Sequence, residues 1–356
     1  MAVNSDNTRI AFFGGAFNES VVSGIVGLYR DGYDIVVCDH DPRESVALKA
    51  AGIPFTSNRL EAVTGRNLVI TSLATGNDVE DLYFGENALL ELLSPGSRAL
   101  DLSFVPPTLA REVHAMAAVS DIEFVDSPIL NLGDSEEPIA FVGGARASQD
   151  YVAPVLPYFA RNIIQHSEPG EGQFAAMISV ISFAGSLMGA VESVALASAA
   201  QFPWESTLNT LASTAGGSRA LAAYAPLVHD GNYGGRIKVR DFLLALDVAL
   251  TGAEALDVTV PLTETAYQLF DLLSIVGGDE LNIQALALLY SDEQTCADHG
   301  LDWELAEAQF GYGVGDDDDD DDDDDVGPGF SYGDFFEGGP GPNRGPYPSP
   351  GFFSKN

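Results

Sequence analysis

The stretch Gly170-Glu171-Gly172-Gln173-Phe174-Ala175-Ala176-Met177 opens the run on which the reading of this chain turns. From Phe174 to Val191, 18 consecutive residues carry no charge. That length reaches the lower limit for a membrane-spanning helix. Half of the run is Ala, Ser or Gly, however, which suits close helix packing better than lipid contact. No Lys/Arg cluster flanks it to anchor or orient a span. It is read as a long helix buried inside protein. Before it, strands and helices alternate; after it, to about residue 310, the pattern is helical. The run therefore divides two domains, at 8–168 and 170–310, followed by a tail at 311–356.

A chain of 356 residues, 46% of them apolar, is long enough for two domains with real cores. The net charge is −37; residues before 316 hold 41 acids and 14 bases, a net of −27, with Lys49 and Lys238 as their only lysines. So acidic a surface argues against nucleic acid or an anionic membrane as partner, because phosphate contacts need Lys and Arg. Cys38 and Cys296 are too few and too distant for a disulfide framework, and Met-Ala-Val-Asn-Ser-Asp at the start lacks a signal-peptide pattern. A cytoplasmic, reducing setting is expected. His40, His114, His166, His229 and His299 show no metal-ligand spacing, so no metal site is expected. Ten aspartates run from Asp316 to Asp325, followed by a Gly/Pro/Phe segment. Like-charge repulsion predicts a disordered, solvating tail; loose calcium binding and docking of its phenylalanines on a partner stay open.

Near the N-terminus, Ile10-Ala11-Phe12-Phe13 ends at Gly14-Gly15, a helical pattern runs through Val21, Val22, Ile25, Val26 and Tyr29, and Asp34–Asp39 forms a second apolar strand. This strand–turn–helix–strand unit is the setting of a dinucleotide-binding fold, in which a glycine turn and a helix N-terminus meet a pyrophosphate and an acid after the second strand meets a ribose. The glycine turn is impaired: Gly14-Gly15-Ala16-Phe17-Asn18-Glu19 stands where G-x-G-x-x-G is expected, with a side chain at Ala16 and bulk and negative charge at Glu19. Further strands are read at 67–73, 98–103, 122–126, 138–144 and 162–165, with helices at 78–92, 107–118 and 148–160. That alternation predicts a largely parallel sheet with right-handed crossovers. Beyond the long run, helices are expected at 204–224, 238–251, 264–276 and 281–289. The fold class is α/β: an N-terminal Rossmann-type NAD(P)-binding domain and an all-α C-terminal domain, joined by a long interdomain helix.

The order and spacing of these elements resemble the 3-hydroxyisobutyrate dehydrogenase (β-hydroxyacid dehydrogenase) superfamily, which includes imine reductases. Asp101-Leu102-Ser103-Phe104-Val105-Pro106 resembles its D-x-S-x-x-P segment, and Val125-Asp126-Ser127-Pro128 its D-A-P segment. Phe141-Val142-Gly143-Gly144 is similar to its V-G-G, and Gly170–Gln173 to the G-x-G-Q opening of its interdomain helix. Asp230–Tyr233 and Arg240-Asp241-Phe242 are similar to its G-D-F and K-D-L elements. The resemblance implies NAD or NADP as cofactor, with Gly14, Gly15, Ala16, Phe17 and Asn18 in the phosphate turn, and Leu73 and Ala74 after the fourth strand. It also implies Ser103 near the nicotinamide and Arg240 in place of a family lysine. Asp39 followed by His40, where an Arg usually stands, disfavours a 2′-phosphate, so NAD is favoured over NADP.

The implied chemistry departs from the pattern. Leu130-Asn131-Leu132 replaces the S-G-G loop that would hold a substrate carboxylate, so a small hydroxy acid loses its anion site. The family's catalytic lysine falls at Ala176, and its Asn three residues later at Ser179. Ala176 cannot polarise or protonate anything. Ser179 and Tyr233 are the remaining candidates, Tyr233 with packing as its alternative role. Two functions follow: an imine reductase-like hydride transfer to an apolar, non-carboxylate small molecule, or a catalytically inactive relative that binds or scaffolds. The resemblance also implies a homodimer formed through the helical domain.

Overall fold

The computed structural model describes residues 3–14, 19–38, 46–133, 137–203, 208, 210, 211 and 214–310. Gly15 to Asn18, Asp39, His40 and the 311–356 tail, all of which carry expectations above, lie outside the described residues.

Six strands build the first sheet: β1 (Arg9–Gly14), β2 (Asp34–Cys38), β3 (Phe55–Thr56), β4 (Leu68–Ser72), β5 (Arg98–Asp101) and β6 (Glu123–Asp126). Their order is β3-β2-β1-β4-β5-β6 and every pairing is parallel. The central strands read as unbroken apolar runs because helices cover both faces; Ile10 to Phe12 and Leu68 to Ile70 are entirely buried. α1 (Glu19–Arg30), α2 (Val46–Ala50) and α3 (Arg59–Val63) connect the first four strands; α4 (Gly76–Phe84), α5 (Leu89–Leu92) and α6 (Pro107–Val119) connect the next. Strand order reverses between β1 and β4, and a crevice opens at their carboxyl ends, where Gly14 lies beside Ser72.

A second, three-stranded sheet follows, β7 (Ile129–Leu130), β8 (Ile139–Val142) and β9 (Asn162–Gln165), with β7 antiparallel and β9 parallel to β8. The expected helix 148–160 is observed only as α7 (Arg146–Val152) and a 3₁₀ turn at Leu156–Tyr158. Pro154 and Pro157 remove two backbone donors there. The expected helix 78–92 is likewise two helices, broken after Gly85 where Asn87 adopts a φ of 56°.

The long run is one helix, α8 (Glu171–Ala199), of 29 residues. Behind it pack α9 (Arg219–His229), α10 (Val239–Glu254), α11 (Pro261–Leu273), α12 (Glu293–Asp298) and α13 (Trp303–Phe310). The expected helix 281–289 is a 3₁₀ segment, Ile283–Tyr290. α8 has the length and mean hydropathy, 1.9, of a membrane span, but 44% of its most apolar window is buried against these neighbours. Leu187, Met188, Val191 and Val194 join Leu246, Leu269 and Leu286 in a single core. Its other face stays open along Ile178, Ser182, Gly189, Ser193 and Leu196.

Candidate active site

The residues that carry the family resemblance converge on one place, the junction where α8 leaves the sheet edge. Asp126, at the end of β6, is buried and accepts hydrogen bonds from the backbone N–H of Gly170 (2.9 Å) and of Gln173 (3.2 Å). A carboxylate thus closes the N-terminus of a long helix, where unpaired donors and the helix dipole favour negative charge. Burial raises the Asp126 pKa nonetheless, against the lowering effect of those two bonds. The Gln173 side chain ties the helix to the turn after β5, donating to the Ser103 carbonyl (2.8 Å) and accepting from the Val105 N–H (3.0 Å).

Glycine is required where these segments meet. A Cβ on Gly172 would stand 2.3 Å from the Phe141 carbonyl oxygen, and one on Gly143 would stand 2.7 Å from both Asp126 carboxylate oxygens. Gly170 takes a φ of 75°, outside the ordinary range of residues with a side chain.

Ser103 is 2% exposed, and its hydroxyl donates to Asp101 Oδ1 (2.6 Å) while accepting from the Leu73 N–H (2.9 Å). Its hydroxyl holds the turns after β4 and β5 together, at the carboxyl end of the sheet where the resemblance puts the nicotinamide. Phe104, the next residue, is the half-buried side chain of that turn and packs on the C-terminal core. Asp101 is fully buried; Oδ1 also takes bonds from the Thr71 hydroxyl (2.8 Å) and the Ser103 N–H (3.1 Å), whereas Oδ2 has no partner. Burial pushes its carboxyl up to about 6, its three hydrogen bonds pull it down, and the neighbouring Asp126 raises it again.

At the crevice, Gly14 is the one described position of the glycine turn. Gly14 has a φ of 138°, and a Cβ there would lie 2.0 Å from the Ser72 carbonyl oxygen, so the chain passes β4 as only glycine can. Leu73 and Ala74 follow β4 directly, both half-buried. Arg240 sits in the first turn of α10, 52% exposed, and its guanidinium is engaged by Glu280 and by Asp241 (3.6 Å). The structure therefore presents Arg240 in surface ion pairs.

Of the catalytic candidates, Ala176 is fully buried in the C-terminal core, near the start of α8. Ser179 is half-buried, and its hydroxyl donates to the Ala175 carbonyl (2.9 Å), so its one proton is engaged. Tyr233 is 8% exposed and stacks edge-on against His299 at 4.7 Å, with burial raising its pKa. That is the packing environment expected as its alternative role.

Ser179 opens onto a cleft of about 740 Å³ between α8 and α9, walled by Leu132, Ile178, Ser182, Phe183, Ser186 and Tyr224 among others, with Arg219 in the α9 first turn. The size suits a small organic ligand. The loop that supplies Leu132 belongs to the N-terminal domain and is tied to it through Asn131, whose Nδ2 donates to Ser20 Oγ (3.5 Å) in the first turn of α1. The cleft therefore adjoins the end of α1 that faces the crevice. Sequence reading missed Phe183, Tyr224 and Arg219 because the α8–α9 contact that brings them to Ser179 is tertiary; Ser218, capping α9 at the Leu221 N–H, is the local sign of where that wall begins.

Residues 25–167 match the family model of the NAD-binding domain of 6-phosphogluconate dehydrogenase. Residues 170–290 match that of the NAD-binding region of NADP-dependent 3-hydroxyisobutyrate dehydrogenase. The chain is 28% identical to 3-hydroxyisobutyrate dehydrogenase of Pseudomonas aeruginosa over 255 residues, covering 69% of this chain and 86% of the relative. Among solved structures, the Mycobacterium tuberculosis 3-hydroxyisobutyrate dehydrogenase with L-serine superposes with a TM-score of 0.72 at 22% identity, covering 80% of this chain and 99% of that one. An imine reductase from Myxococcus stipitatus with NADP⁺ superposes at 0.51 and 17% identity, covering 78% and 98%; these two structures establish the fold. The chain belongs to the 3-hydroxyisobutyrate dehydrogenase (β-hydroxyacid dehydrogenase) superfamily of NAD(P)-dependent oxidoreductases.

Proposed function

We propose that the protein transfers hydride to a C=N bond of an apolar, non-carboxylate small molecule lodged in the α8–α9 cleft. The observation that carries this reading is the cleft itself: Leu132, from the segment that replaces an anion-binding loop, shares its lining with Phe183 and the half-buried Ser179. An apolar leucine offers a carboxylate nothing, while aromatic and aliphatic walls suit a ring system. When bound, a nicotinamide nucleotide supplies the hydride, and Gly14, Leu73 and Ala74 are the described residues that would hold it. NAD is favoured over NADP on the sequence of Asp39-His40. The open α8 face, with Leu262 of α11 exposed beside Gly185, supports burial against a second copy as a homodimer.

One observation favours the alternative of an inactive binding relative. Ala176 is sealed in the core, and the Ser179 and Ser186 hydroxyls of the cleft donate to backbone carbonyls of their own helix. A substrate panel separates the two. With NADH, a cyclic imine is expected to be reduced and 3-hydroxyisobutyrate not to be oxidised, including by the Ala176→Lys variant. Oxidation of the hydroxy acid by wild type would overturn the substrate class; no turnover of any imine, with nucleotide bound, would favour the inactive relative.

A further inference from the structure

We infer that Gln173 is a positioning residue: its buried amide passes a displacement of the turns bordering the crevice on to α8, so that a nucleotide bound there sets where the wall of the α8–α9 cleft stands. This rests on the reading of the crevice as a nucleotide site. Gln173 is fully buried, and both ends of its amide are used. Its Nε2 donates to the Ser103 carbonyl (2.8 Å) and its Oε1 accepts from the Val105 N–H (3.0 Å). A helix that needed only an anchor here could use a leucine of similar size, because a buried amide is costly unless it is bonded. Both bonds go to the backbone of a single turn and bracket Phe104, whose side chain packs on the C-terminal core. The turn after β5 is thereby held from the helix side.

The same turn is held from the crevice side as well. The Ser103 hydroxyl accepts from the Leu73 N–H (2.9 Å), and the Leu102 N–H donates to the Thr71 carbonyl (2.8 Å). Leu73 follows β4 directly, and β4 runs beside β1 so that Ser72 pairs with Gly14 where the strand order reverses. A ligand seated at these carboxyl ends bears first on 72–74 and then, through Leu73, Ser103 and Gln173, on the first turn of α8. Asp126 fixes that first turn too, but to β6, which β5 separates from β4. Of the two attachments, the Gln173 side chain is the one that leads back to the crevice.

α8 carries the displacement onward. Ala176, Met177 and Val180 are buried, so the start of the helix is packed on its neighbours; a Cβ added to Gly252 of α10 would lie 2.3 Å from the Met177 sulfur. Ser179 follows Gln173 by six residues, about 9 Å along the axis at a rise of about 1.5 Å per residue. There Ile178, Ser179, Ser182 and Phe183 form the α8 side of the cleft. Over so short a distance a packed helix moves as a rod, and a shift of its first turn reaches the cleft through one contiguous set of bonds and contacts. Occupancy of the crevice and the geometry of the cleft are then linked.

Hydrogen exchange of the full chain, read by mass spectrometry with and without saturating NADH, tests this link. In the wild type NADH is expected to slow exchange at 70–76 and, by about fivefold, at 174–183 of α8. Gln173→Leu is expected to bind NADH within about threefold of wild type and to keep the protection at 70–76 while losing it at 174–183. Ser103→Ala cuts the path at its other end and leaves the Gln173 bonds to the turn in place. It is expected to separate the two segments likewise, so the result does not depend on one variant folding. A role in stability alone would lower the urea midpoint of either variant and leave both segments responding together. NADH protection of 174–183 that persists in the variants, or that is missing from the wild type while 70–76 is protected, would overturn the inference. NADH without effect on either segment of the wild type would overturn the nucleotide reading of the crevice and the inference with it.

Discussion

Replacing Gly172 by alanine is expected to destabilise the protein by about 3 kcal/mol or more, among the largest effects any single methyl group can have here. The added Cβ would stand 2.3 Å from the Phe141 carbonyl oxygen and 2.8 Å from both Asp126 Oδ2 and the Gly143 N–H. Two of these neighbours are backbone, so no rotamer change relieves the clash. Either α8 withdraws, breaking the Gly170 and Gln173 bonds to Asp126, or β8 bends away from its partners. Urea unfolding followed by circular dichroism measures the loss. Gly189→Ala is the internal control: on the exposed face of the same helix, nothing lies within 4 Å of its added Cβ in the single chain. That change is expected to leave stability equal or raise it by up to about 1 kcal/mol, as alanine does in a helix interior. Similar losses in both variants would remove the junction from the account.

Asp101 should make stability depend on pH in the direction opposite to a salt-bridged acid. Its carboxyl is pushed from an ordinary 3.8 up to about 6 by burial, so the folded protein holds that proton more tightly than the unfolded chain. Below pH 3.8 the group is protonated in both states and costs nothing. As pH rises to about 6 the cost of keeping a buried charge builds, and above that it is fully present, at about 3 kcal/mol. Other acids contribute slopes of their own, the buried Asp126 and the surface Asp241 in the same direction. The informative quantity is therefore the difference between wild type and Asp101→Asn. Asn keeps an oxygen for Thr71 and Ser103 and cannot ionise. The difference should move by about 3 kcal/mol in favour of the variant between pH 3 and pH 8; a flat difference would mean that the charge is not buried as described.

Much of the architecture is legible in the sequence because buried parallel strands read as short apolar runs. Ile10–Phe13, Leu68–Ile70 and Val36–Cys38 announce themselves, whereas in the helical half the expected 204–224 helix is interrupted at 214–218, ahead of α9, and 281–289 is a 3₁₀ segment. Prolines 154 and 157 and the Gly85–Asn87 break show where periodicity overran its physical limits. The site is less legible, because motif letters carry no information on burial. Asp101, Ser103, Asp126 and Gln173 were readable as family positions, but that they bond one another across the domain junction is tertiary. Ser103 shows the difference most clearly: its family position was readable, but its role as a buried link between two strand ends was not. The cleft lining was invisible because Ser179 and Tyr224 meet only when α9 folds back on α8.

The central claim is that the crevice beyond Gly14 and Ser72 holds a nicotinamide nucleotide despite its altered glycine turn. Titration of the purified full chain with NADH and with NADPH, following nicotinamide fluorescence, tests it directly. Saturable binding at submillimolar concentration is expected, with NADH the tighter of the two; no saturable binding of either nucleotide would contradict it.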